Sequence, residues 1–184
     1  MKTRIIPAAA ICAALASFLL AGCASKPVDE LKMAGVAMDK ARSAEAQEYA
    51  PKDWNRAQMQ WEEAMALIHM GRDSEARDVL IESVASYNDA QTTAEARVDS
   101  LKAQLKDLQS GFDAELNKIE RGCESPKVRA SIRKRAESAL PRLDERISVM
   151  NSLVDAKEYL KAYREGQAAD RYIAGLEKML GISQ

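Results

Sequence analysis

Apolar side chains recur every three or four residues along the chain after residue 26, which is the spacing of one helical face. Pro and Gly residues fall between the periodic stretches, and no stretch alternates as a strand does. The spacing predicts helices over 27–48, 51–70, 74–121 and 126–154, and a short last helix from Ala169 to Leu180. We expect Gly71 and Gly181 to end helices, Gly166 to end the segment before the last helix, and Pro141 to kink or divide the fourth.

The second half of the chain predicts a coiled-coil hairpin. A heptad pattern runs through 98–119, and 128–154 repeats the same spacing. A turn is expected between them, with Ser125 as N-cap and Pro126 as the first helical residue. The fold class expected is therefore all-α: an elongated array of antiparallel helical hairpins, with a coiled-coil hairpin in the second half.

The N-terminal segment predicts export and lipidation. Lys2 and Arg4 precede an uncharged run over 5–21, which is short for a membrane span and typical of a secretory signal peptide. The run leads into Leu-Ala-Gly-Cys at 20–23, which resembles the bacterial lipobox. That resemblance implies removal of 1–22, a diacylglycerol on the Cys23 sulfur and fatty acids such as palmitate. The alternative is an ordinary secreted protein with a chance Cys after its cleavage site.

The residue after Cys23 predicts which of the two bacterial membranes holds the lipid anchor. Asp at that position would retain an enterobacterial-type lipoprotein in the inner membrane, whereas this chain has Ala24. We therefore expect a lipid anchor at the periplasmic face of the outer membrane. Residues 23–26 form a tether of at most about 14 Å when extended, so the folded part should begin close to the membrane.

Small residues at helical spacing carry a family resemblance over the first half of the chain. The matching positions are Ala34 through Ala44, Tyr49-Ala50-Pro51, Ala57, Ala64, Gly71, Ala76, Ala90 and Ala94. This stretch resembles the DUF4398 domain of Gram-negative envelope lipoproteins. The resemblance implies a helical array similar to tetratricopeptide hairpins and no enzymatic activity. We expect a DUF4398-like domain over 27–96, and a coiled-coil hairpin with C-terminal helices over 97–184 that continues from the preceding helix.

The sequence lacks the residue sets that enzymes of common classes need. Its single His, His69, has no identifiable catalytic partner, and P-loop, GxGxxG and GxSxG motifs are absent. We expect no catalytic residues, no metal site and no cofactor besides the lipid on Cys23. The 27 basic and 28 acidic side chains become 25 and 28 when Lys2 and Arg4 leave with the leader, so nothing draws the chain to nucleic acid.

Two surface features are candidate binding sites. Trp54 and Trp61 share one helical face, either as core residues or as anchors for a protein partner. The segment 127–146 is basic, and it is either a solvated helix face or a site for lipid phosphates, lipopolysaccharide or acidic proteins. The candidate anion-binding residues are Arg129, Arg133, Arg142 and Arg146.

Cys123 is a candidate redox residue. It lies in the predicted turn between two long helices, where we expect it to be exposed. Cys12 leaves with the leader and the Cys23 sulfur carries lipid, so Cys123 has no thiol partner within the chain. The alternatives are an intermolecular disulfide, which would make a homo-oligomer or a mixed disulfide, and a free thiol that is kept reduced or isolated.

Two functions follow from these features. The first is a non-catalytic scaffold or adaptor, anchored by lipid in the periplasm, that holds an unidentified envelope protein. The second is a module that binds envelope glycans or lipids through the basic face around 127–146.

Overall fold

The structure is a computed structural model, and it describes residues 25–182. The leader, Cys23 and Ala24 lie outside the described residues. Between residues 25 and 182 every regular element is a helix, which confirms the all-α fold. The helices are α1 (Val28–Ser43), α2 (Ala46–Tyr49), α3 (Pro51–His69), α4 (Asp73–Glu124), α5 (Ala130–Glu137), α6 (Leu140–Asp155) and α7 (Tyr159–Leu180).

The first predicted helix is divided in two. Helix α1 ends at Ser43, where the backbone N–H of Glu45 donates to the carbonyl of Arg42 at 2.9 Å. Glu45 has a φ of 55°, the left-handed conformation that closes many helix ends. The prediction of one helix over 27–48 is therefore wrong, because the left-handed residue that stops the helix is not a glycine.

Gly71 closes α3 as predicted. Its φ is 73°, and the N–H of Arg72 donates to the carbonyl of Leu67 at 2.9 Å, as in a Schellman motif. Helix α4 then begins at Asp73 and continues for 52 residues, without a break at Gly111.

Two compact units divide the described chain, with their boundary inside α4. Unit 1 comprises residues 25–47 and 51–91, and unit 2 comprises residues 48–50 and 92–182. Helix α4 therefore contributes its first part to one unit and its second part to the other.

Unit 1 is a three-helix bundle of α1, α3 and the first part of α4. Helix α1 runs parallel to α4, and the Arg77 Nε donates to the Glu30 carboxylate at 2.9 Å near the start of both helices. Helix α3 runs antiparallel to α4, and Ser83 Oγ donates to the carbonyl of Ala57 at 3.3 Å. Wholly buried side chains meet at the centre, and two of them are alanines, which permits close helix packing: Ala34, Ala64 and Leu80.

Unit 2 is also a three-helix bundle, built from the second part of α4, from α5 with α6, and from α7. The chain returns antiparallel along α4, and Gln109 Nε2 donates to Asn151 Oδ1 at 2.8 Å. Helix α7 then runs parallel to α4, with Lys118 in an ion pair with Glu177. The core contains the predicted heptad positions of both helices, together with residues of α7: Leu105, Phe112, Ile119, Leu143, Met150, Ile173 and Leu176.

Gly166 lies in the interior of α7, so the prediction that it ends a segment is wrong. It is buried, and a Cβ built there would lie 2.9 Å from both Leu108 Cδ1 and Met150 Sδ. The absence of a side chain lets α7 approach α4 and α6 closely. The short last helix predicted from Ala169 is consequently the second half of one 22-residue helix.

The turn after α4 also differs from the prediction. Helix α4 continues to Glu124 and α5 begins at Ala130, so Ser125 is not an N-cap and Pro126 is not the first helical residue. The carbonyl of Ser125 instead accepts hydrogen bonds from the N–H of Val128 and from Arg133 Nη2, both at 3.1 Å. Pro141 divides the fourth helix as expected, since it lies in the first turn of α6.

Candidate functional site

Trp54 belongs to the core of unit 1. Its side chain is 7% exposed, and its ring lies 5.3 Å from the ring of Tyr87 with an interplanar angle of 63°, an edge-to-face pair. The Tyr87 hydroxyl is hydrogen bonded to Gln58 at 3.0 Å, and burial raises the pKa of Tyr87. Trp61 is half-buried against the cluster around Ala34 and Leu80. The geometry therefore favours a core role over a partner-binding role for Trp54.

The four candidate arginines of the basic segment do not form one site. Arg133 is part-buried and holds the loop after α4 through the carbonyl of Ser125. Arg146 is paired with Glu165 on α7 at 2.9 Å. Arg129 is exposed immediately before α5. Of the four, Arg142 alone lines a groove with other arginines.

That groove, which we call the arginine groove, lies between α5, α6 and α7 in unit 2. Arg142 is joined there by Arg135 and by Arg171, and the groove encloses about 440 Å³. Sequence reasoning missed Arg171, because α7 lies about thirty residues further along the chain and only tertiary packing brings it here. Polar and apolar side chains complete the lining: Ser138, Ala139, Tyr172, Gly175, Leu176 and Met179.

A second groove, which we call the α1 groove, lies between α1 and α4 in unit 1. Met33 and Val36 lie in it about half exposed, at 50% and 49%. The sequence does carry a signal of this groove, since Met33, Val36 and Lys40 follow the spacing of one helical face. That face lies beside the buried face of Ala34 and Ala41. The other lining residues are Asp29, Lys32, Ala37, Val84 and Asn88.

A third groove in unit 2 is acidic. It lies between α4 and α7 and has a floor of Leu108 and Phe112, with carboxylates from Asp107, Glu115 and Asp170 around it. Among residues 25–182, no three His, Cys, Asp or Glu side chains are grouped so that they could hold a metal ion.

Cys123 is buried, so the prediction that it is exposed at a hairpin tip is wrong. Its side chain is a 5% exposed free thiol within the core of unit 2. The reason is that α4 continues past it and the end of α7 covers this turn, with Leu180 and Ile182 packed against Gly122. Burial raises the pKa of the Cys123 thiol, and the carboxylate of Glu137 raises it further, which disfavours the reactive thiolate. An intermolecular disulfide would need this sulfur to leave the core.

The pair of Lys118 and Glu177 links α4 to α7 in unit 2. The hydrogen bond from the ammonium lowers the pKa of the Glu177 carboxyl, and the same bond raises the pKa of Lys118. Both shifts favour the charged pair at neutral pH.

Comparison of the chain with protein-family models, with curated proteins and with solved structures finds no match. The resemblances to the lipobox and to the DUF4398 domain therefore stay predictions. No helix within residues 25–182 has the length and apolar character that a membrane crossing requires.

Proposed function

We propose that this protein is a non-catalytic adaptor, anchored by lipid at Cys23 to the periplasmic face of the outer membrane, that holds an envelope protein in the α1 groove. The anchor rests on the basic n-region, the Leu-Ala-Gly-Cys run and Ala24. The DUF4398 resemblance, which lends no activity, agrees with a binding role.

The observation that carries the adaptor role is the exposed apolar stripe of α1. Met33 and Val36 stand half exposed beside Ala37 and Val84, whereas the core face of the same helix is already filled by alanines. Covering apolar surface gains roughly 25 cal/mol per Å². A partner that seats an apolar ridge between α1 and α4 therefore gains free energy without any rearrangement of the core.

The charges around the stripe define the partner's chemistry. Lys32 and Lys40 line the α1 groove about two helical turns apart, and Asp29 lies before them. An amphipathic helix binds such a groove through apolar residues at a spacing of three and four. Acidic residues beside that apolar stripe would meet the two ammonium groups, which favours specificity and rapid association. The partner we propose is an amphipathic, acidic helix of an envelope protein.

Site-specific photocrosslinking in intact cells tests the adaptor role. A photoreactive residue at Val36 should give a discrete protein adduct, and Lys40→Glu should reduce the yield because it reverses a charge in the groove. Met59 on α3 is the matched control, since it is 70% exposed and lies outside the groove. Identical adducts from Val36 and Met59, or no protein adduct from Val36, would contradict the proposal.

The anchor is tested separately. Metabolic labelling with a palmitate analogue should tag the wild-type protein and miss Cys23→Ser, and membrane fractionation should recover the wild type with the outer membrane. A labelled Cys23→Ser protein, or a mature wild type that is soluble, would refute the anchor while leaving the groove untouched.

A further inference from the structure

The arginine groove concentrates positive charge without a counter-charge. Arg135, Arg142 and Arg171 reach it from three different helices. Within the described part of the chain, none of the three guanidinium groups makes an ion pair or a side-chain hydrogen bond, and no acidic side chain lines the groove. Two neighbouring arginines differ from these three: Arg133 donates to the carbonyl of Ser125, and Arg146 is paired with Glu165.

Three guanidinium groups around one groove match a compact, multiply charged anion. Each presents a planar fork of N–H donors that fits phosphate oxygens bidentately. A phosphate monoester carries close to two negative charges at neutral pH and has three acceptor oxygens. A carboxylate carries one charge and two oxygens, so a single carboxylate would leave part of this donor set unused.

The floor of the groove favours a ligand that also has an apolar part. Ala139, Tyr172 and Met179 line it and are partly exposed, whereas Leu176 is 3% exposed and belongs to the core of unit 2. Gly175 leaves it open, since a Cβ built there would meet nothing within 4 Å. A purely hydrophilic anion would leave this hydrocarbon surface uncovered, whereas an amphiphile would cover it.

We propose that the arginine groove binds one lipid phosphate monoester, with the phosphate among Arg135, Arg142 and Arg171 and the adjoining hydrocarbon over Tyr172 and Met179. The inference is independent of the adaptor proposal, because it concerns other residues in the other unit.

Native mass spectrometry of the full-length protein in detergent micelles tests the proposal. The probes are dioctanoyl phosphatidic acid, dioctanoyl phosphatidylcholine, inorganic phosphate and a hexaglutamate peptide. We expect one retained phosphatidic acid per protein, and Arg171→Gln should weaken its retention about tenfold or more, as loss of a charge-assisted contact does. Arg164→Gln is the matched control, because Arg164 is exposed on α7 two turns earlier and does not line the groove.

A blocking variant separates binding from folding. Gly175→Leu places a side chain into the groove at a position with room for it, and leucine favours a helix more than glycine does. It should abolish retention of phosphatidic acid while its thermal melt is unchanged or higher. If that variant is unfolded, Arg142→Gln takes its place, with the same tenfold loss expected.

Four results would overturn the proposal. Equal retention of phosphatidylcholine, whose phosphodiester carries one negative charge, would show that the groove does not select a phosphate monoester. Equal affinity for inorganic phosphate would show that the lipid chain is irrelevant. Displacement by hexaglutamate at equal concentration would assign the groove to acidic proteins. An equal loss in Arg164→Gln and Arg171→Gln would show that overall charge, rather than the groove, attracts the lipid.

Discussion

The close approach of α7 to α4 and α6 can be tested by replacing two glycines of α7 with alanine, one at the crossing and one away from it. Gly166 is buried, and a Cβ there would lie 2.9 Å from Leu108 Cδ1 and from Met150 Sδ. Gly175 is exposed on the same helix, and a Cβ there would meet nothing within 4 Å. Replacing each with alanine changes backbone propensity equally and changes packing only at Gly166.

The two substitutions should change the free energy of unfolding in opposite directions. Replacing glycine with alanine in a helix interior stabilises by about 0.8–1.0 kcal/mol, so Gly175→Ala should raise the free energy of unfolding by that amount. Overpacking a core typically costs about 1–3 kcal/mol. The atoms that Gly166→Ala would meet are the ends of flexible side chains, which places its cost in the lower half of that range. The net effect of Gly166→Ala is then a loss of about 0–1 kcal/mol once the propensity gain is subtracted.

Urea denaturation followed by far-ultraviolet circular dichroism measures both variants against the wild type. The quantity to compare is the difference between the two free energies of unfolding, which should be about 1–2 kcal/mol. Equal stabilisation by Gly166→Ala and Gly175→Ala would refute the close approach of α7 to α4 and α6. The slope of the free energy of unfolding against urea concentration should be the same in all three proteins. Matching slopes are the internal control, because a changed slope in either variant would invalidate the comparison.

Three further predictions concern the core, the thiol and the ion pair of unit 2. Leu105→Ala should lower the free energy of unfolding by about 2–5 kcal/mol, since Leu105 is 1% exposed, and a loss below that range in urea denaturation would contradict its burial. The Cys123 thiol should react with a maleimide far more slowly in the native protein than in urea, and non-reducing electrophoresis should show only monomer; similar reaction rates would place the sulfur at the surface. Because Lys118 lowers the pKa of Glu177, their pair stabilises the fold above the ordinary pKa of a glutamate, and this contribution is lost as the pH falls through the lowered pKa. Lys118→Met should therefore lose less stability on acidification than the wild type, and equal losses in urea midpoints would exclude the linkage.

The helices themselves could be predicted from the sequence, but not all of their ends. Gly71, Gly181 and Pro141 stand where the structure ends or divides helices, because their backbone preferences act locally. Glu45 and Lys157 also end helices, with φ of 55° and 62°, although neither side chain favours a left-handed conformation. Backbone hydrogen bonds close both ends, from the N–H of Glu45 to the carbonyl of Arg42 and from the N–H of Lys157 to the carbonyl of Val154. No glycine, asparagine or proline marks either position in the sequence.

Residue type alone also does not tell what a glycine does. Gly166 and Gly71 look alike in the sequence, yet one permits a helix crossing and the other ends a helix. The distinction depends on which side chains arrive from other helices.

The candidate sites were less predictable for the same reason. Arg142 belonged to the predicted basic face, but its companion Arg171 lies on another helix, and Arg133 and Arg146 are used within the fold. Cys123 was misplaced because the extension of α4 to Glu124 and the cover from α7 depend on long-range contacts.

The continuity of α4 through Gly111 has a consequence for amide hydrogen exchange. In an α-helix each N–H donates to the carbonyl four residues earlier, so the amide of Glu115 donates to the carbonyl of Gly111. Both residues belong to unit 2, and the neighbouring Phe112 is buried in its core. The amides before and after Gly111 should therefore form one protected stretch, without the rapidly exchanging gap that a kink at this glycine would leave.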